Sequence, residues 1–175
     1  MFRSFSLFLS VIALVFSPAA ISSAEPRVIH PSATEVEVNI GRTPLHVLIE
    51  MGNFDGGVSV RETPDKSIKV GKRELWLVRP AKEFKDVSAI IGYLNLIGLE
   101  PIGYHELVVF AIQKPDMLKN GEAVCALGSP ASPQSGAVSW QCYGIKDGKR
   151  FLSDGVGGEE WPINSYYLAK RKPAK

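Results

Sequence analysis

GLEPIGYHELVVFAIQKPDMLKNGEAVCALGS, residues 98–129, decides how the chain is built. Gly98 and Pro101 end the helical pattern that precedes them. Tyr104 to Lys114 then reads as a helix. Leu107, Phe110, Ala111 and Lys114 lie along one side, and Val108 and Ile112 widen the apolar surface. So broad a face implies burial against more than one neighbour. Pro115 and Gly121 close the segment. Glu122 to Gly128 follows as a buried strand and carries Cys125.

Moving towards the C-terminus, Ala137 to Ile145 reads as a second strand, and Pro130, Pro133 and Gly136 mark the connection. Cys142 sits in that strand, and the two cysteines lie nearly symmetrically about the connection. An antiparallel hairpin folded there sets Cys125 opposite Cys142 and Leu127 opposite Trp140. These four share one face, with Val124, Ala126, Gln141 and Tyr143 on the other. Opposed residues have Cα atoms ~4.5–5.5 Å apart, a spacing that a disulfide accepts. Asp147-Gly148 is a hairpin turn signal leading into Lys149 to Ser153. Gly155 to Gly158 reads as a loop, Trp161-Pro162 follows, and Ser165 to Lys170 is the final strand.

Towards the N-terminus, Val87 to Ile97 reads as a helix capped by Asp86, with Ile90, Ile91, Leu94 and Ile97 as its apolar stripe. Glu74 to Arg79 alternates as a strand, and Val58 to Arg61 and Ser67 to Val70 read as shorter ones. A helix of about two turns starts with Thr43 as cap and Pro44 in first position, and stops at Gly52 as a left-handed residue. Thr34 to Ile40 alternates Val36, Val38 and Ile40 against Glu35, Glu37 and Asn39, the period of a half-buried strand. The expected fold is a single α+β domain over 34–172. It has a mostly antiparallel sheet, two to three short helices and a β-rich C-terminal third. A lead-in at 25–33 and a tail at 173–175 flank it.

The first 24 residues are set apart. Arg3 is followed by an apolar run from Leu7 to Phe16, then Pro18 and small residues up to Ala24. This is the pattern of a secretory signal peptide. The run is much shorter than the ~20 residues a spanning helix needs, which argues against a retained anchor and against stable membrane insertion after cleavage. The expected location is secreted or periplasmic. In an exported chain the even pair Cys125 and Cys142 reads as a disulfide. The full chain of 175 residues carries 20 Lys and Arg against 18 Asp and Glu. That near-neutral balance does not point to nucleic acid. The cationic tail Lys170-Arg171-Lys172-Pro173-Ala174-Lys175 reads as solvated, with a weak pull towards an anionic envelope surface as the sharper option.

The order of several segments resembles a family of uncharacterised bacterial proteins. The matching residues are Gly52-Asn53-Phe54-Asp55, Gly98-Leu99-Glu100-Pro101, His105-Glu106-Leu107-Val108, Val124 to Ser129, Trp161 and Tyr167 to Lys172. The resemblance covers most of the chain from about Glu37 onward and implies no activity, so it transfers no catalytic residue. The cysteine pair and the signal peptide depart from the family pattern. In layout alone the chain is also similar to C-type-lectin-like domains, including relatives of the formylglycine-generating enzyme. The copper-binding cysteines of that enzyme have no counterpart here.

Catalytic motifs are missing from the sequence: GxSxG, P-loop, GxGxxG, HExxH, EF-hand loop and CxxC do not occur. The three histidines are scattered, and the acids Asp147, Asp154, Glu159 and Glu160 match no calcium loop. No cofactor or metal is expected. His105-Glu106 is the one pair that an enzyme site could use. Neighbours on a helix point about 100° apart, so both read as first-turn residues, Glu106 favouring the positive helix end and His105 capping or facing solvent. The aromatic residues of the last third suit recognition of a sugar or a protein. Tyr143, Trp161 and Tyr166 are the candidate binding residues. The resulting expectation is a small exported, disulfide-bonded, non-catalytic module for a protein or glycan partner. The alternative is an envelope enzyme built around His105 and Glu106.

Overall fold

A computed structural model describes residues 33–55, 69–80, 84–131, 139–156 and 165–173. The expected signal peptide, the strand at Val58 to Arg61 and Trp161 lie outside the described residues. Residues Lys69 and Val70, from the expected strand at Ser67 to Val70, are not in a strand.

The alternating N-terminal segment forms β1 (Ala33–Ile40), with Val36, Val38 and Ile40 buried. It pairs antiparallel with β2 (Gly71–Val78), Val36 opposite Leu75 and Val38 opposite Arg73. Between them lies α1 (Leu45–Gly52). Its start differs from expectation. Pro44 occupies the cap position and no side chain caps the helix. Its end differs too. Asn53, with φ of 45°, takes the left-handed position, while Phe54 folds back so closely over Gly52 that a side chain there would collide with the ring.

α2 (Val87–Leu96) is capped as expected, the Asp86 carboxylate accepting from Ala89 N–H at 2.8 Å. Gly98, at φ of 79°, turns the chain into a three-residue strand, β3 (Leu99–Pro101). α3 (Tyr104–Gln113) follows, and a short 3-10 turn at Pro115–Met117 leads to β4 (Ala123–Ala131). β4 forms a hairpin with β5 (Ser139–Lys146). The Asp147-Gly148 turn, both residues at positive φ, joins β5 to β6 (Lys149–Val156). β6 extends through Gly155, where a loop was expected. The chain finishes in β7 (Ser165–Arg171).

One mixed sheet results, in the order β1-β2-β7-β4-β5-β6. β7 pairs antiparallel with β2 along one side. On its other side it pairs parallel with the start of β4 and antiparallel with β3. The expected α+β fold with a largely antiparallel sheet is observed, with the β4–β7 pair as its parallel element.

Side chains alternate across a strand, so the sheet divides two cores. One face carries Val38, Leu75, Val124, Ala126, Tyr143 and Leu168 against α1 and α3. α3 buries Leu107, Val108, Val109, Phe110 and Ala111, the broad face foreseen in its sequence. The other face carries Val78, Cys125, Leu127, Cys142, Tyr167 and Ala169 against Val87, Ile90 and Leu94 of α2.

Cys125 and Cys142 stand directly opposite in the β4–β5 ladder and form a disulfide, with Cα atoms 4.0 Å apart. Leu127 and Trp140 share that face, but the ladder shifts register beyond Ala126 and does not pair them.

Arg150 at the start of β6 ties the helices to the sheet. Its Nη1 donates to Gly52 O at 3.1 Å, at the end of α1, its Nη2 donates to Ala111 O in the last turn of α3, and its Nε donates to the Tyr143 hydroxyl at 3.2 Å. A guanidinium suits this position, because the carbonyl ends of two helices carry partial negative charge. Both rims of the sheet also carry a two-bond clasp. On β1 the Gln113 carboxamide donates to Asn39 O and accepts from Asn39 N, both at 2.8 Å. On β6 Asp55 N–H donates to Arg150 O at 2.6 Å, and its carboxylate accepts from Arg150 N at 3.1 Å.

Two stability tests follow from this architecture. Replacing both cysteines by alanine should cost ~3 kcal/mol in urea unfolding, the chain-entropy value for a loop of this size. Free-thiol labelling of the native protein should find no reactive cysteine. Arg150→Lys keeps the charge but cannot reach three acceptors in three directions, so it should lower stability by ~3 kcal/mol, through buried oxygens left without partners.

Candidate functional site

The sequence-derived candidates do not come together in one place. Tyr143 is fully buried. It projects to the face that α3 covers, Phe54 packs edge-on against it at 5.9 Å, and its hydroxyl is held by Arg150. It is a core residue and presents no surface to a ligand, which corrects the expectation of an exposed ring.

His105 is buried as well, where a solvent-facing or capping position was expected. The helix start turns its ring inward against the loop before α1. Its Nε2 lies 3.1 Å from Thr43 O. A carbonyl only accepts, so Nε2 carries the proton in this bond. Nδ1 has no hydrogen-bond partner among the described residues. Glu106 points elsewhere. Its Oε2 accepts from Gly103 N–H at 3.2 Å, a reach back to the chain just before α3. The pair is therefore divided between two structural tasks.

Tyr166 is the candidate that gathers polar neighbours. It sits near the start of β7, beside the end of β2 and the start of β4. Its O–H donates to Glu122 Oε1 at 3.1 Å and its oxygen accepts from Arg79 Nη1 at 3.5 Å. Arg79 Nη1 is 3.8 Å from the same Glu122 oxygen, and the guanidinium also lies over the Tyr166 ring, 5.4 Å from its centre. The second Glu122 oxygen accepts from Lys119 N–H at 2.8 Å. Glu122 is largely buried, with 15% of its side chain exposed, while Arg79 keeps 39%. The cluster thus has a fixed, desolvated carboxylate at its base and a partly exposed guanidinium beside it. Sequence reasoning singled out Tyr166 but missed Arg79 and Glu122. Arg79 stood just before a strand-ending Pro80 and Glu122 before a strand start, positions where a charge reads as solvated.

Burial raises the Tyr166 phenol above its ordinary value, and the Glu122 carboxylate adds to the rise, with Arg79 opposing it. A phenol held protonated between a donor and an acceptor is a poor base at neutral pH. The same locking makes it a good fixed element of a recognition surface. Among the described residues no group of three or more His, Cys, Asp or Glu side chains is placed to hold a metal ion.

No known family model, curated protein or solved structure matches the chain. The resemblances drawn above rest on the residue patterns alone. Within the described residues, no helix is long and apolar enough to cross a membrane.

The neighbouring Tyr167 projects to the opposite core, where burial pushes its phenol up to about 12. An unfolded tyrosine titrates near ~10, so unfolding at higher pH releases a proton. The stabilising contribution is full below that value and falls as pH rises towards the folded one. Urea unfolding across this alkaline range should show a steeper loss of stability for the native chain than for Tyr167→Phe.

Proposed function

We propose that the chain is an exported, disulfide-bonded binding protein of the secreted or periplasmic space, acting on a protein or glycan partner without catalysis. The observation that carries this reading is the convergence of Arg79, Glu122 and Tyr166 from three separate segments at one end of the sheet. Their hydrogen bonds orient a phenol, a carboxylate and a half-exposed guanidinium in advance, which lowers the ordering cost of binding. Glycan hydroxyls and peptide amides both suit such a mixture of fixed donors and acceptors. Trp161, four residues before β7 in sequence, stays in this reading as an aromatic recognition candidate.

Export is supported by the N-terminal sequence pattern and agrees with the buried disulfide, since cross-links of this kind persist in oxidising compartments. The enzyme reading has less to stand on. A general acid–base pair needs both groups to reach one substrate atom, whereas His105 is engaged at Thr43 and Glu106 at Gly103.

Arg79→Ala and Trp161→Ala should each reduce recovery of partners from envelope extract and binding to immobilised cell-wall glycan by tenfold or so, the scale of a lost interface anchor. Equal recovery by wild type and Arg79→Ala would remove this end of the sheet as the binding site, and equal recovery by Trp161→Ala would remove that residue from the reading.

A further inference from the structure

The opposite end of the sheet is built differently. A surface depression there is lined by Lys72, Arg73, Lys170 and Arg171, with Glu37 and Glu74 as its acids. The strands bring these residues to one end of the sheet, where β1 and β7 end and β2 begins, with Glu37, Lys72, Glu74 and Arg171 on the α2 face and Arg73 and Lys170 on the face of α1 and α3. Glu37 is engaged by Lys72 at 3.1 Å, and Lys170 is engaged by Glu100 at 3.5 Å. Arg73 donates to Lys69 O at 3.0 Å, and Arg171 lies over the Trp76 ring at 5.1 Å. Neither arginine has a carboxylate partner among the described residues. Lys172 follows β7 directly and is exposed, with its backbone N–H on Gly98 O at 3.2 Å.

Two of the exposed large aliphatic residues belong to this end. Val70, 53% exposed, immediately precedes β2. Leu96, 84% exposed, closes α2 two residues before the Gly98 that holds Lys172. Cations beside exposed aliphatic side chains form the pattern of a protein surface that rests on an anionic bilayer. The charges meet the headgroups and the aliphatic groups enter the boundary beneath them.

We propose that this end docks peripherally on an anionic lipid surface. Charge complementarity favours an anionic partner, and the aliphatic pair separates a lipid surface from a polyphosphate chain, which has no use for Val70 or Leu96. Docking here leaves the end bearing Arg79, Glu122 and Tyr166 turned away from the bilayer. The inference does not depend on what that end binds.

The test is sedimentation of the mature chain with phosphatidylcholine vesicles, with and without a phosphatidylglycerol fraction. Binding should require the anionic lipid and weaken with salt. Arg73→Gln and Lys172→Gln should each lower affinity about fivefold, the effect of one basic residue near such a surface. Leu96→Ser should weaken binding while leaving the salt dependence in place. Three results would overturn the proposal: equal sedimentation with neutral vesicles, native affinity in the folded Arg73→Gln/Lys172→Gln double variant, or full displacement by inorganic phosphate at matched ionic strength. The last would assign the site to a free anion.

Discussion

The backbone ladder of β7 is the constraint on which the rest depends. β1 and β2 form one unit, and β4, β5 and β6 form another. Only β7 lies between them, bonded to β2 on one side and to β3 and β4 on the other. Its side chains serve both cores, Leu168 on the side of α1 and α3, Tyr167 and Ala169 on the side of α2. Removing it would open the sheet along its centre and expose both apolar faces. The segment that completes the core is thus the last of the described strands along the chain. Contacts of such long sequence separation incur the loop-closure cost before they return any burial, so they form late.

Local pattern carried much of this architecture in legible form. The alternation of Val36, Val38 and Ile40, the Asp86 cap and the Asp147-Gly148 turn all depend on neighbours within a few residues. The Cys125–Cys142 register was also readable, because the hairpin itself makes that contact local. Non-local facts were not readable. The position of β7 in mid-sheet is set by pairings with β2, β3 and β4 that leave no mark on SYYLAK. β3 hid within Leu99-Glu100-Pro101, where proline and a glycine stop read as punctuation. Alternation assigned Tyr143 to the correct face. It could not say that α3 covers that face too, and in a sheet buried on both sides a tyrosine on either face is core. The same limit applied to the charges. Arg150 follows a turn and reads as solvent-facing until the ends of two helices are brought to it.

The two ends of the sheet have distinct chemistry. At one, Arg79, Glu122 and Tyr166 form a cluster with a nearly buried carboxylate as its base. At the other, four cations and two carboxylates surround an open depression. Strand direction creates the separation, since β1 begins and β2 ends at the first, while β1 and β7 both end at the second. The disulfide lies between β4 and β5 and holds the hairpin that flanks β7. It supports the frame that separates the two ends and belongs to neither.

The clasps on the rims bear on how the protein behaves in a crowd. Each outer strand of a sheet is a template on which another chain can extend the ladder, and this is how folded β proteins come to seed fibres. At Asn39 the place of a foreign strand is already taken by the Gln113 carboxamide, which copies the donor and acceptor of a peptide group. At Arg150 the same place is taken by Asp55. An incoming strand must displace two bonds before it gains any, so each clasp is a kinetic barrier to polymerisation as well as a fastening for the helix layer.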